Sequence, residues 1–355
     1  MTQILSSCKT QKTFSVWLTQ GFSSQRDILM ALNSSSIKSR ITTIASHREQ
    51  RDEILSMADV SVIEPKVDGC KFILEQTIAQ QVDLVLVSHF NAKYEQQRDL
   101  FEQHGITLIT GTRGANAHHV LEDKFEFTQQ CQQADIAVVD AIKVESTLQL
   151  QNAINCLQQQ GNVCVKPVVG VFAQGFWQLI NDINYFDNLF DPTNYQVNTQ
   201  QFIEAYDKQE LKRPYLVMPF LSGEECSVDM FCVAGQVMNM VTRIKKDQWQ
   251  EVLPIGPCDD IVIRLAQVFQ LDGIINAQFR QDRQGKWYVL EVNSRPSGGI
   301  GMTLHSHINL MAECVAYYSK LSLNRLAPKT ALVRAVSHSV EVGNLTHAKG
   351  LYHVL

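Results

Sequence analysis

Residues 274–296 read IINAQFRQDRQGKWYVLEVNSRP, two runs of alternating apolar and polar residues on either side of Asp282-Arg283-Gln284-Gly285. Two such runs around a glycine-containing turn predict a β-hairpin. Folded symmetrically about Gln284 and Gly285, the hairpin sets Gln278 opposite Glu291 and Asn276 opposite Asn293. Side chains alternate faces with period two, so these four project from one face. The other face carries Ala277 against Val292 and Phe279 against Leu290, and reads as core. Directly opposed Cβ atoms lie about 5 Å apart, close enough for the side-chain oxygens to converge on one small cation. Oxygen donors suit Mg2+. Only Glu291 is charged, so most of the negative charge has to arrive with the ligand, as it would with a triphosphate. A hairpin with one polar, solvated face fits the same alternation.

Two segments upstream bear on that choice. Val163-Cys164-Val165-Lys166-Pro167 ends an apolar strand on a lysine, with Gly170 and Gly175 following. A lysine at the end of a buried strand needs an anion or loses its charge, unless its tip reaches water. Glycines let backbone N–H groups approach phosphate oxygens closely. Further on, the apolar run Leu216–Leu221 breaks into Ser222-Gly223-Glu224-Glu225. An adenine needs an apolar slot beside free backbone donors and acceptors, and a ribose needs a carboxylate. An edge strand followed by an acidic turn gives the same pattern.

The 355 residues suit two or three domains, and 45% hydrophobic with 19% charged residues is the composition of a folded chain. The net charge of −5, without a basic block, argues against a nucleic-acid partner. No apolar run is long enough for a membrane helix; Leu84–Val87 and Ile136–Val139 are strand-sized. The N-terminus has no basic segment followed by an apolar block and cleavage site, so a cytoplasmic location is expected. The nine cysteines form no CxxC pair and read as reduced, packed thiols. His118-His119 and His305-x-His307 place no third metal ligand by spacing.

The first 110 or so residues alternate strands (Phe14–Leu18, Ile41–Ala45, Val60–Ile63, Leu84–Val87, Ile106–Ile109) with helices (Ser23–Leu32, Arg48–Met57, Lys71–Gln80, Tyr94–His104). That order predicts a parallel sheet covered on both faces, a Rossmann-like domain. It lacks GxGxxG after its first strand, so a dinucleotide site is not supported. Thr110–Gly114 marks a boundary, and residues 181–198 read as a long surface connection. From Tyr215 the pattern turns to strands: Tyr215–Phe220, Cys226–Val233, Val237–Ile244 and Gly273–Phe279, with a helix at Ile261–Phe269.

Taken in this order, the three pieces resemble the ATP-grasp superfamily, nearest in motif to the carbamoyl-phosphate synthetase branch, over about residues 113 to 320. Glu291-Val292-Asn293-Ser294-Arg295-Pro296 matches that family's metal and phosphate motif, and Gln278 takes its partner position. Lys166 with Gly170 and Gly175 matches the second ATP lysine and phosphate loop, and Lys124 the first ATP lysine. The strand Gly223–Asp229 matches the one whose Glu225 holds the ribose. Two departures stand out. The loop carries Val171-Phe172-Ala173-Gln174 where the family usually has a small hydroxyl residue, and the hinge glutamate is replaced by Met218. Backbone readout of adenine survives, through Pro219, Phe220 and Leu221.

The resemblance implies an α/β and α+β fold: a Rossmann-like pre-ATP-grasp domain (1–112), then a two-subdomain ATP-grasp domain (113–320) with a smaller lid at about 125–217 and a metal-binding subdomain at about 218–320, and a C-terminal extension (321–355). The implied activity transfers the γ-phosphoryl group of ATP to a small-molecule carboxylate, and an amine attacks the acyl phosphate to give an amide. Two Mg2+ ions, or Mn2+, would sit on Gln278, Glu291 and Asn293, with Arg295 and Arg243 as catalytic candidates for the phosphoryl group. Ser297-Gly298-Gly299, ahead of a helix-like run from Met302 to Lys320, is the candidate loop for the acceptor carboxylate. A thiol or hydroxyl acceptor, or a non-catalytic ATP-binding subunit, is the alternative. A homodimer is expected by analogy alone.

Overall fold

In the computed structural model the described residues are 13–21, 24–159, 161–170, 173–184, 186, 190 and 195–336. Five short runs near the N-terminus, β1 (Phe14–Leu18), β2 (Ile41–His47), β3 (Val60–Ile63), β4 (Leu84–Leu86) and β5 (Thr107–Ile109), make one parallel sheet in the order β3-β2-β1-β4-β5. Helices cover both faces, so the central strands are largely buried, β1 through Val16, Trp17 and Leu18 and β4 through Leu84, Val85 and Leu86. The direction of winding reverses between β1 and β4, so loops of both halves meet at the strands' carboxyl ends. Two helices differ from expectation. Arg48–Met57 contracts to Asp52–Leu55; ahead of it the chain turns back on β2, with the Glu49 N–H donating to His47 Nδ1 (3.0 Å). Tyr94–His104 divides into Asn91–Glu95 and Arg98–Gln103, with Arg98 turned back onto Glu95 (2.8 Å).

After the two-residue strand β6 (Gly111–Thr112) comes a small sheet of β7 (Ile142–Val144), β8 (Val163–Pro167), β9 (Trp177–Ile180), β10 (Gln196–Asn198) and β11 (Tyr215–Pro219), ordered β10-β9-β8-β11-β7. Val163, Val165 and Val217 point from it into a core closed by the helices Thr147–Gln158 and Thr199–Asp207. The helix Lys124–Gln133, placed mostly in the lid by sequence, buries Phe127 and Cys131 with the larger sheet instead. Ile136–Val139 is no strand; only Val138 bridges to Val289. Much of the connection at 181–198 lies outside the described residues.

The larger sheet contains β12 (Glu225–Val233), β13 (Gln236–Lys246), β14 (Trp249–Leu253), β15 (Leu271–Gln281), β16 (Trp287–Asn293) and β17 (Ala331–Val333), ordered β16-β15-β12-β13-β14-β17. The turn between β12 and β13 is the two-residue pair Ala234-Gly235, both at positive φ (46° and 79°), as a tight hairpin requires. The helix Asp259–Val268 sets Val262, Leu265 and Ala266, followed by Phe269, against one face at helical spacing. Residues 331–333 of the expected C-terminal extension supply the edge strand, and 337–355 lie outside the described residues.

The N-terminal sheet and the larger sheet share a core. Ile28, Leu29 and Leu32 of the helix Ser24–Asn33 pack in one cluster with Ile274, Leu310 and Met311. The joint is tight where β6 pairs with the start of β15, Gly111 opposite Asp272. Asn91 Nδ2 donates to the carbonyls of Thr110 (2.6 Å) and Ser294 (2.9 Å), tying the loop after β16 to the first domain. Gly111 sits at φ 99°, and a Cβ there would run into the Ser294 carbonyl. Gly111→Ala is therefore expected to remove at least about 2 kcal/mol of unfolding free energy, combining left-handed strain with a clash. Gly105→Ala, at φ 72° in open space, is expected to cost about 1 kcal/mol from strain alone. Urea denaturation of both variants measures the difference.

Candidate active site

The hairpin of β15 and β16 pairs Asn276 with Asn293, Ala277 with Val292 and Gln278 with Glu291, as symmetric folding requires. Beyond Gln278 the register shifts: Phe279 faces Val289, not Leu290. Leu290 is thus the extra residue of a β-bulge. It leaves the core, lines a cleft between the two sheets, and offers its carbonyl to Lys166 Nζ at 3.5 Å. The bulge re-aims the strand where Glu291 enters the cleft. A two-residue alternation with no insertion marker gave no sign of it.

Gln278 and Glu291 line this cleft. Asn293 Nδ2 donates to Glu291 Oε1 (3.0 Å), leaving Asn293 Oδ1 and Glu291 Oε2 without a hydrogen bond among the described residues. Asn276 faces the same way but lies beneath, 1% exposed, with Nδ2 held by Ser227 (2.9 Å) and Asp229 (3.0 Å). It belongs to the floor of the site. No group of three His, Cys, Asp or Glu side chains able to hold a metal exists among the described residues. The donors here are one carboxylate, Glu291, and two amides, Gln278 and Asn293, all hard oxygen ligands, which fits Mg2+ sharing its shell with phosphate and does not fit a protein-caged transition metal.

Two lysines face Glu291. Lys166 ends β8, where Val163 and Val165 go to the core, so Cys164 and Lys166 share the cleft side by period two. Burial draws the Lys166 ammonium down to about 8, with Glu291 working against the drop and Lys124 adding to it. Lys124 opens a helix capped by Asp123, whose carboxylate accepts from the N–H groups of Phe125 and Glu126 (both 2.9 Å). Its Nζ reaches across to the Gly170 carbonyl at 2.7 Å, and burial lowers its pKa against the pull of Glu291.

The deep end of the cleft is apolar. Met218 lies across from Cys164 on β11, and both pack with Val139, Phe176, Phe220 and Leu221. Pro219 also lines it, while the Phe220 N–H is committed to the Asn162 carbonyl (2.8 Å). Glu225 stands at the rim in ion pairs with Lys245 (3.0 Å) and Arg280 (3.5 Å). Gly170 lines the cleft. Gly175 does not: at φ 74° it backs onto Pro167 and Tyr215, where a Cβ would clash, so its role is to fold the loop. Val171 and Phe172 lie outside the described residues.

Arg295 sits past the bend after β16, close enough to Glu291 to feel its charge, and burial lowers its pKa. Arg243, a catalytic candidate from the sequence, is tied into the structure. It is 6% exposed and ion-paired to the fully buried Asp229 (2.8 Å), with further bonds to Ser227, Gln250 and Ser297. With those partners it acts as the pillar under Ser297 and Gly299, and a Cβ on Gly299 would strike its guanidinium. The run after Gly299 is a 3-10 segment, Ile300–Ser306; the α-helix starts only at Leu310, capped by Asn309. The glycine loop thus does not open the helix expected of it, because His307 turns the chain at φ 66° in between. Arg280 was missed in the sequence, although it is two residues from Gln278 and so on the same face. It lines the cleft over the Phe220 ring (5.6 Å), with Nε buried and unpartnered.

Residues 212–347 match a family model described as ATP-grasp in the biosynthetic pathway with Ter operon. Among solved structures, the ADP complex of an N5-carboxyaminoimidazole ribonucleotide synthetase superposes with a TM-score of 0.64, at 15% identity over 90% of this chain and 80% of that one. This is an ATP-grasp fold. A Campylobacter jejuni biotin carboxylase in an ATP-analogue complex gives 0.63 at 15% identity, over 88% of this chain and 72% of that one. The biotin carboxylase domain dimer of Hydrogenobacter thermophilus 2-oxoglutarate carboxylase, with MgADP and bicarbonate, gives 0.62 at 16%, over 89% and 71%. No curated protein sequence matches significantly. No helix among the described residues is long and apolar enough to cross a membrane.

In this ATP-grasp chain the depressed Lys166 carries a stability consequence. The folded state disfavours its ammonium, so the penalty is full below pH about 8 and fades as pH rises toward the ordinary value of 10.5. Lys166→Met is expected to raise the melting temperature of the ligand-free protein at pH 7, with the gain shrinking toward pH 10. Calorimetry at both pH values measures it.

Proposed function

We propose that this chain is an ATP-dependent ligase that activates a small-molecule carboxylate as an acyl phosphate for attack by an amine. The observation that carries the reading is the pairing of Gln278 with Glu291 across the hairpin, opposite Lys124 and Lys166 on the other wall of one cleft. Adenine would lie between Met218 and Cys164, read by the Pro219 carbonyl and the Leu221 N–H, with Glu225 at the ribose. Lys124 and Lys166 would exchange their carbonyl partners for phosphate oxygens. A triphosphate beside Lys166 favours its ammonium, reversing the depression that burial imposes.

Glu291, Asn293 and Gln278 would hold Mg2+, which supplies charge neutralisation across the β- and γ-phosphates when bound. In the first step a carboxylate oxygen of the acid bonds to the γ-phosphorus and the bridging bond to the β-phosphate breaks, releasing ADP. The guanidinium of Arg295 would hold the transferring phosphoryl group, since its fork of donors matches the oxygens. In the second step the amine nitrogen bonds to the acyl carbon, inorganic phosphate leaves with its oxygen, and the amine gives up a proton to solvent.

Hydroxylamine provides the test, since it intercepts an acyl phosphate as a hydroxamate. Across a panel of small acids with Mg·ATP, one acid is expected to give hydroxamate and ADP in equal amounts; ATP binding with no ADP release on any acid would overturn the reading. Glu291→Ala is expected to lower turnover by at least about 100-fold with an unchanged circular dichroism spectrum, since it removes the one carboxylate ligand. Lys166→Ala is expected to raise the KM for ATP by at least about tenfold and leave that of the acid nearly unchanged.

A further inference from the structure

The sign of the charge reverses at the carboxyl ends of β1 to β4. Although the chain carries a net charge of −5, Arg48, Lys66 and Lys93 gather around one recess there, and Arg48 and Lys66 also line an adjoining one. None of the three has a carboxylate partner among the described residues. Arg48 Nε is buried and makes no hydrogen bond, while its guanidinium lies 4.5 Å from the centre of the Phe90 ring. Lys93 Nζ is 5.2 Å from the same ring. Glu64 Oε2 and Arg48 Nη2 flank Gly69 without forming an ion pair, so the nearby acid offsets this charge only in part. Glu64 spends Oε1 on the Gln20 N–H (2.9 Å) and on Ser46 (2.7 Å), and Asp68 and Glu49 are exposed. The helix Gly69–Ala79 begins beside Arg48 without a side-chain cap, so it adds uncommitted N–H groups to the recess.

His89 relates the recess to Arg295. Its ring packs tilted against Phe90 with centres 3.8 Å apart, and after burial the charges of Arg48 and Arg295 depress its protonation. Arg48 of the first domain and Arg295 after β16 are thus both near enough to one imidazole for it to feel their charges.

We propose that this recess binds a second anionic group of the acceptor acid, a phosphate or a carboxylate, held by Arg48 and Lys66 beside the Phe90 ring. The carboxylate to be activated then lies toward Arg295. This rests on the ligase reading and narrows its substrate to acids with two anionic ends. An unpartnered guanidinium against an aromatic face keeps its fork of donors available to oxygens of either kind.

The test uses the full chain with a saturating non-hydrolysable Mg·ATP analogue, so that the nucleotide cleft is filled. Inorganic phosphate is titrated calorimetrically in one arm and succinate in the other. Binding of at least one is expected, and whichever binds identifies the anion. Arg48→Gln and Lys66→Met are each expected to weaken it at least about tenfold while leaving the affinity for the analogue unchanged. Lys66 is exposed, so its variant carries the test if Arg48→Gln fails to fold. Intact analogue binding with neither probe bound, or with both variants binding as wild type, overturns the proposal alone. Failure of the wild type to bind the analogue strikes the ligase reading instead.

Discussion

Two lysines and an arginine answer to one carboxylate at the meeting of the two sheets. Lys124, Lys166 and Arg295 all feel Glu291, and burial pushes all three toward neutrality. A ligand-free protein holds such an arrangement only because the rest of the fold fixes it: β8 presents Lys166, a capped helix presents Lys124, and the bulge at Leu290 turns Glu291 to meet them. Each cation has a backbone carbonyl within reach, of Gly170, Leu290 and Pro296 respectively. In the function proposed above, a polyanion carrying a divalent metal would relieve all of these at once, and charge would select the ligand class more sharply than shape.

Much of this was legible in the sequence, and the reason is periodicity. The parallel N-terminal strands appear as separate apolar runs, and the pairing of Gln278 with Glu291 follows from counting away from the turn. The small sheet was less visible. Ile142–Val144 and Gln196–Asn198, like Trp249–Leu253 in the larger sheet, are short strands of mixed polarity, and tertiary pairing rather than local pattern decides them. Arg243 shows the limit of local reading most clearly. Its burial depends on Asp229 and Ser297, which are distant in sequence and brought together only by strand order. The 3-10 segment at Ile300–Ser306 escaped for a related cause, since its residues keep an apolar pattern while His307 breaks the helix.

The first domain is more than a neighbour of the cleft. Asn91 holds the Ser294 carbonyl, Arg113 pairs with the buried Asp272, and Glu95 accepts from Arg98, Thr110 and the Gly114 N–H, so the connection between domains is itself a hydrogen-bonded structure. His118 is enclosed in that joint, its proton affinity lowered by burial to about 4, and it bonds Thr110 as a neutral ring. The small sheet, by contrast, closes its own separate core around Val163, Val165 and Val217.

The collision that a side chain at Gly111 would make with the Ser294 carbonyl has a consequence for how such a chain diversifies. Backbone lies against backbone there, so position 111 takes no side chain unless the loop after β16 moves. In the loops that follow β2, β3 and β4, side chains can instead be exchanged one at a time. Lineages built on this joint would keep the phosphate machinery constant and drift in the residues around Phe90.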